Sequence, residues 1–379
     1  MKELKIQDLF QISKGKKVEQ IANDSKDKIR YIQIEDLRNN ETIKYCKNDN
    51  KYIYASKDDI IIAWDGANAG TIGYNIEGAI GSTLAVLKRK NNDFAFNTAY
   101  VAKFMQSKTR FLRDNCTGAT IPHISRKVLE NLNVPLPSMD VQNKIVILLD
   151  KVQSLIDKRK AQIAALSDLT HSVFLEMFGD PHLNNKNWPI VKIGDLTIKS
   201  QYGTSKKASE FTGKYPILRM NNISYDGRVS MEDLKYIDLD EKEAKKYLVH
   251  KGDLLFNRTN SKELVGKTAV YPYDEPVAFA GYLIKLIPND KANSVFISAY
   301  LNSLYGKKVL LNMAKNIVGM ANINAEELKS INIYLPPIEL QNEFANIIEN
   351  IEEKRNILNQ SLIQLENNFQ SLMQRVFRG

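Results

Sequence analysis

The chain has 379 residues, too many for one ordinary core, so two or three domains are expected. Hydrophobic residues make up 43% and charged residues 26%, a globular balance that excludes a disordered chain. The formal net charge of +9 favours a polyanionic partner, nucleic acid before membrane, and both halves share it, with 27 Lys/Arg against 22 Asp/Glu in residues 1–180 and 26 against 22 in residues 181–379.

In chain order, the start, MKELKIQDLFQISKGKK, has no long apolar stretch, and no apolar run anywhere reaches eighteen residues. Neither a signal peptide nor a membrane span is expected. Short β-like runs follow, IRYIQI, DIIIAW and STLAVLKR, separated by turns rich in Gly, Asn and Asp. NTAYVAKFMQSKTRFLRDN then reads as a helix with aromatic and aliphatic core positions. The phrase NLNVPLPSMDVQNKI, residues 131–145, leads into a long stretch without Pro or Gly. The second half repeats this order. GDLLFNR, GKTAVYP and FAGYLIKLIP are β-like, VFISAYLNSLYGKKVLLNMAK is helical, and SINIYLPPIELQNEF, residues 330–344, opens a second long stretch. In each phrase proline sets an extended approach, and Gln142 or Gln341 falls in the first turns of the helix.

The two phrases are parts of a repeat. Ile124–Phe178 aligns without a gap on Ile323–Phe377, with identities that include Asn133/Asn332, Pro137/Pro336, Gln142/Gln341, Asn143/Asn342 and Phe178/Phe377. A seven-residue frame through the first stretch places Leu149, Ile156, Ile163, Thr170 and Met177 on one seam. Its second seam holds Ile145, Val152, Arg159, Leu166 and Val173. The same frame through the second stretch gives Ile348, Arg355, Leu362, Phe369 and Val376, then Phe344, Ile351, Leu358, Leu365 and Leu372. A period of 3.5 residues held over five heptads predicts coiled-coil packing, with each helix the natural partner of the other. The expected organisation is a globular unit at 1–137, a helix at 138–179, a second unit at 180–336 and a second helix at 337–379.

Catalytic and cofactor signatures fail on inspection. VGKT at Val265–Thr268 lacks the glycine a phosphate loop needs, because position 261 is Ser261. There is no GxGxxG, and LPPI lacks the amide or carboxylate that amino-methyltransferases place before their prolines. His123, His171, His182 and His250 are scattered, and His171, outside the seams, is expected to be solvated. Cys46 and Cys116 make no CxxC pair, which fits a reducing cytosol without disulfide or zinc. No cofactor and no metal is expected on this chain, and it reads as non-catalytic.

Polar loops carry more information. In the first half SKGKK contributes Lys14, Lys16 and Lys17, WDGANAG contributes Trp64 and Asn68, and NCTGATIPH contributes Thr117 and His123. In the second half QYGTSKK supplies Gln201, Tyr202, Thr204 and Lys206, and LRMNN supplies Arg219, Asn221 and Asn222. FNRTNSKEL supplies Asn257, Arg258, Thr259, Asn260 and Ser261. Arg and Lys fork onto guanine's groove edge and Asn and Gln onto adenine's, while hydroxyls and backbone amides hold phosphates. Each loop alone is also an ordinary polar turn; their recurrence in two basic halves favours DNA contact. Lys88-Arg89-Lys90 and Lys158-Arg159-Lys160 read as solvated faces.

With these residues in view, the whole chain resembles the specificity subunit of type I restriction-modification systems. The resemblance rests on GATIPHISRKVLENLNVPLPSMDVQNKI, KRKAQIAALSDLTHSVFLEMFGD and LFNRTNSKELVGKTAVY, with a mild departure at GMANINAEEL in the second copy. It implies an α+β fold of two mixed α/β target-recognition domains separated by two long antiparallel helices. It also implies a non-enzymatic subunit in a prokaryotic cytoplasm that reads a bipartite site on double-stranded DNA. Two adenine methyltransferase subunits using S-adenosylmethionine, and restriction subunits using ATP and Mg, would supply the chemistry. A type IIB-like specificity subunit and a two-domain scaffold that does not bind DNA stand as alternatives.

Overall fold

The computed structural model describes residues 2–23, 27–39, 42–90, 94–118, 120–317 and 320–377. By packing, the chain divides into two units. One combines Met1–Arg159 with Ser361–Gly379, and the other is the continuous stretch Lys160–Gln360.

In the first unit, strands β1 (Lys2–Lys5), β2 (Phe10–Lys14), β3 (Ile60–Ala63), β4 (Ile72–Tyr74) and β5 (Leu84–Arg89) precede helix α1 (Thr98–Ser107). Strand β6 (Asn133–Leu136) and helix α2 (Met139–Phe178) follow. The central sheet has the order β2-β5-β3-β4, antiparallel throughout. Every residue of β3 is buried, because the sheet is covered on both faces. Ile60 and Ile62 join a core with Tyr100, Val101 and Phe104 of α1, whereas Ile61 and Ala63 point the other way, toward Ile32, Ile80 and Val86. A strand buried on two faces needs an unbroken apolar run, and DIIIAW supplies it. Behind it lies a second sheet with a parallel pair, Lys28–Ile32 beside Gly78–Ile80.

The second unit repeats this plan with β7 (Ile190–Lys192), β8 (Thr197–Tyr202), β9 (Leu254–Asn257), β10 (Thr259–Asn260), β11 (Thr268–Val270) and β12 (Leu283–Pro288). Helix α3 (Ser294–Asn302), β13 (Met320–Asn322), β14 (Asn332–Tyr334), the later turns of α2 and the first part of helix α4 (Ile338–Phe377), up to Gln360, complete it. Its central sheet, β8-β12-β9-β11, has the same order and the same antiparallel pairing. Leu254 and Phe256 face the helical core while Leu255 faces the second sheet. That sheet again has a parallel pair, Tyr215–Leu218 beside Val277–Phe279. The single helix expected after each sheet is two helices. The first breaks at Lys108. The second breaks at Ser303, which leaves helical geometry and caps the next helix through Gly306 N–H.

The duplicated phrase is a joint. β6 pairs with β1, and β14 with β7. Just beyond, Gln142 accepts a hydrogen bond from the Asn97 backbone N–H at 2.9 Å and donates to the Pro137 carbonyl at 2.9 Å. Gln341 does the same with Asn293 N–H at 2.9 Å and the Pro336 carbonyl at 2.8 Å. Asn97 and Asn293, which cap the N-termini of α1 and α3, also donate from their side chains to Asn143 and Asn342. Both glutamines are buried, and each satisfies one backbone donor and one backbone acceptor at the joint. Each long helix is thus welded at its start to the N-terminus of a shorter one.

The far ends are closed by aromatics. In the first unit Phe377 packs on Tyr100 and Phe104, with ring centroids 5.4 and 5.7 Å away. In the second, Phe178 packs on Phe296 at 4.9 Å and Phe344 at 5.1 Å. The early turns of α2, with Ile145 and Leu149, share a core with Phe369, Leu372 and Met373 of α4. The late turns of α2, with Val173 and Phe174, share a core with Phe344 and Ile348. The helices are therefore antiparallel within each unit. Every position of both heptad frames is buried or half-buried, whereas Leu148, Leu155, Leu169, Ile357 and Ile363 lie outside the frames and are exposed. His171 is half-buried, not fully solvated as expected. Among the described residues, no helix is long and apolar enough to cross a membrane.

Candidate nucleic-acid interface

In the first unit three loops meet. β3 runs out into Trp64 and Asp65, β2 ends at Lys14, and the segment after α1 returns through Thr117 to His123. Backbone bonds hold the meeting: Ile124 N–H to Trp64 carbonyl at 2.9 Å, Gly66 N–H to Pro122 carbonyl at 2.9 Å, and a reciprocal pair between Thr117 and His123 at 2.7–2.8 Å. Asp65 sits at the centre. Its carboxylate lies 2.7 Å from Lys14 Nζ and 2.6 Å from His123 Nδ1. Partial burial pushes the Asp65 carboxyl up, but the hydrogen bonds and charges of Lys14 and His123 outweigh it and hold its pKa below the ordinary value. Lys14 and His123 keep about half of their side-chain surface in solvent. Trp64 is half-buried against the core. Lys16, Lys17 and Thr117 are exposed, and Asn68 accepts a hydrogen bond from Arg38.

The second unit builds the same place from other residues. Lys14 pairs in register with Ala85, and Tyr202 with Ile284, at equivalent sheet positions. β9 runs out into Arg258 and Thr259 as β3 runs out into Trp64 and Asp65. Ile323 N–H reaches the Arg258 carbonyl at 2.9 Å, as Ile124 reaches Trp64. Asn322 thereby occupies the place of His123. The Arg258 guanidinium lies over the Tyr202 ring, 4.9 Å from its centroid, and Nη2 donates to Asn322 Oδ1 at 3.3 Å. Asn322 Nδ2 donates in turn to Thr259 Oγ1 at 2.7 Å, and the Tyr202 hydroxyl accepts from Ala325 N–H at 2.9 Å. An aspartate holding a lysine and a histidine in one unit is thus replaced by a tyrosine–arginine–asparagine chain in the other. Two glycines mark the shared frame. A Cβ on Gly15 would lie 2.1 Å from the Gly81 carbonyl oxygen, and one on Gly203 would lie 2.3 Å from that of Ala280.

Several candidates do not reach the surface, and this corrects the sequence expectation. Asn257 is fully buried, because it lies two residues from Leu255 and on the same inward face of β9. Asn222 is 2% exposed, and its amide is consumed by Arg219 N–H and the Ser230 and Glu232 carbonyls; it staples a turn. Thr204 and Thr259 are buried, and their hydroxyls accept from Lys206 N–H and Asn322 Nδ2. Gln201 donates to the Tyr202 carbonyl, Arg219 donates to the Asp233 carbonyl, and Lys206 pairs with Glu243 at 2.6 Å. Asn221 is exposed, while Asn260 and Ser261 are half-buried in one tight turn. The sequence reading missed Asp65 and Asn322. The signal for the latter lay one position before the aligned repeat, where continuing the same offset brings Asn322 onto His123. Among the described residues, no group of three His, Cys, Asp or Glu side chains could hold a metal.

The family model for the type I restriction modification DNA specificity domain matches residues 1–166 and 185–367. The specificity subunit of the type I restriction enzyme MjaVIII from Methanocaldococcus jannaschii is 26% identical, over 99% of this chain and 92% of that protein. The EcoKI specificity subunit from Escherichia coli is 23% identical, over 86% of this chain and 75% of that protein. Among solved structures, the type I S subunit from M. genitalium superposes with a TM-score of 0.58 at 16% identity, covering 100% of this chain and 96% of that one, which shows a shared fold.

Proposed function

Because the chain belongs to the family of type I restriction modification DNA specificity domains, we propose that it is the DNA-reading subunit of such a complex and catalyses nothing itself. One observation carries this reading. Two copies of one frame present loops at the same place, with Lys14, Trp64, Asp65 and His123 in one copy and Tyr202, Arg258 and Asn322, backed by the buried Thr259, in the other. Conserved joints with divergent polar tips are what a protein needs to hold two different half-sites in one repeated scaffold.

The division of labour follows from chemistry. Arg258 can fork onto a guanine edge, and Tyr202 steers its plane. In the first unit Lys14, Lys16 and Lys17 sit on a surface suited to phosphates, and His123 and Trp64 lie beside them. The helices α2 and α4 set the gap between half-sites and dock two adenine methyltransferase subunits on their repeated surfaces. S-adenosylmethionine, ATP and Mg belong to those partners and to restriction subunits.

The test is co-expression with the modification subunit in a methylation-free host, followed by mapping of methyladenines. A bipartite motif with a fixed gap is expected, and purified complex should lose DNA affinity steeply as salt rises, because phosphate contacts release counterions. Methylation without a bipartite motif, or affinity indifferent to salt, contradicts the reading.

A further inference from the structure

The α4 seam is apolar except at Arg355, which is only 2% exposed. Its counterpart in the repeat is Ile156, an ordinary seam residue. Arg355 is engaged through Nε and Nη1, while its buried Nη2 finds no hydrogen-bond partner among the described residues. Nε donates to Glu352 at 3.1 Å, and Nη1 donates to the Ile163 carbonyl at 3.2 Å and to Ser167 Oγ at 3.0 Å, both on α2. A second guanidinium arrives from the globular part of the same unit. Arg228 Nη2 donates to the same Ser167 hydroxyl at 3.1 Å, and its Nε lies 3.3 Å from the same Glu352 carboxylate. Two arginines from different elements therefore share one serine and one glutamate.

The loop that carries Arg228 is stiff. Arg228 N–H donates to Ser224 Oγ at 2.8 Å, Ser224 N–H returns to the Arg228 carbonyl at 2.9 Å, and the guanidinium is also paired with Asp226. Gly227, with φ +85°, presses on Asn302 and the Thr268 carbonyl, where a Cβ would come within 2.4 and 2.8 Å. The loop is thus keyed to β11 and α3, so a force on Arg228 is a force on the whole globular part of the unit. A shared-acceptor network is directional, unlike an apolar seam, which tolerates sliding and rolling.

We infer that Arg228 and Arg355, joined through Glu352 and Ser167, are positioning residues that fix the second recognition domain at one angle on the helix pair and so set the strictness of the half-site gap. The inference rests on the DNA-reading function proposed above. Ile156 at the matching place can make none of these hydrogen bonds, and the first domain meets its long helix instead through an ion pair, Lys103 to Asp150 at 2.5 Å. The two domains therefore differ at this place, and removing a charge at Arg228 or Glu352 loosens only the second.

The experiment uses the full chain assembled with its modification subunits and the variants Arg228→Gln and Glu352→Gln. Arg228 keeps about a third of its side chain exposed, so Arg228→Gln is expected to fold even where Arg355→Met does not. Hydrogen exchange of the 224–228 and 163–167 amides should rise roughly tenfold, the scale of a lost charge-assisted hydrogen bond. Methylation of a library with randomised gaps should spread to gaps one base pair longer and shorter, with unchanged base preferences in both half-sites. Unchanged exchange in a folded variant overturns the latch. Raised exchange with an unaltered gap distribution overturns its positioning role. If wild type itself shows no bipartite preference, the function is at fault, and the exchange result still decides whether the latch exists.

Discussion

Gln341→Ala is the sharpest test of how the repeat holds together. Gln341 is fully buried. Its Oε1 accepts from Asn293 N–H at 2.9 Å, and its Nε2 donates to the Pro336 carbonyl at 2.8 Å and the Lys291 carbonyl at 3.2 Å. Alanine removes the partner of three backbone groups, of which the Pro336 carbonyl is buried and the other two are part-buried. At ~1 kcal/mol net for each bond, with added cost for burying unpaired groups, the loss is about 3–5 kcal/mol. A unit of this size shifts its melting midpoint by ~2–4 °C per kcal/mol, so a fall of roughly 6–20 °C in its transition is expected. Gln341→Glu should be worse, because the acceptor survives but a carboxylate oxygen replaces the donor facing the two carbonyls. Gln142→Ala should cost less, since Gln142 serves one carbonyl fewer. The assay is denaturant and thermal unfolding of the full chain followed by tryptophan fluorescence and calorimetry. A change below about 0.5 kcal/mol in Gln341→Ala, or a milder effect for Gln341→Glu than for alanine, would refute the clamp.

Further expectations bear on the interface and the helices. Arg258→Ala should cost about 1–3 kcal/mol of binding and relax one position of one half-site, read by methylation of a library randomised across both; equal changes in both half-sites would remove Arg258 as a base reader. The Asp65 carboxyl is held below its unfolded pKa, so its stabilisation is complete above the ordinary carboxylate range and disappears as pH falls through the folded value. Stability-versus-pH curves of wild type and Asp65→Asn should therefore converge in acid and separate toward neutrality; parallel curves would rule the linkage out. Deleting one heptad from each long helix keeps the seam in phase and should shorten the gap by roughly 10 Å, about three base pairs, on the methylation map.

The strands, the long helices and the repeat were legible because each rests on periodicity. DIIIAW and GDLLFNR announce strands buried on two faces, and the heptad frames name residues that do turn inward. Features that depend on a single side chain's direction were not legible. Asn257 and Arg258 are neighbours in one polar loop phrase, yet strand alternation buries the first and leaves the second partly open. Asn222 looks like a base reader but spends its amide on its own turn. The breaks at Lys108 and Ser303 interrupt runs whose apolar spacing continues through them; at Ser303 a serine cap overrides the helix, whereas no side-chain cap marks the break at Lys108. Arg355 is the one polar position in its seam, and its partners at Ile163 and Ser167 lie 192 and 188 residues away in sequence, beyond the reach of any local pattern.

The division of the chain bears on the order in which it can be made. Lys160–Gln360 is one uninterrupted stretch, whereas the unit that begins the chain is finished only by Ser361–Gly379. Phe377, which covers Tyr100 and Phe104, leaves the ribosome long after them. At ~5–20 residues per second, the wait between Arg159 and Ser361 is about 10–40 s. Throughout that interval the apolar face around Tyr100 lacks the cover of Phe377, whereas the later unit holds all of its parts as soon as Gln360 has emerged. The half synthesised second is the half that can close first, and the first half is completed only when the final turns of α4 emerge.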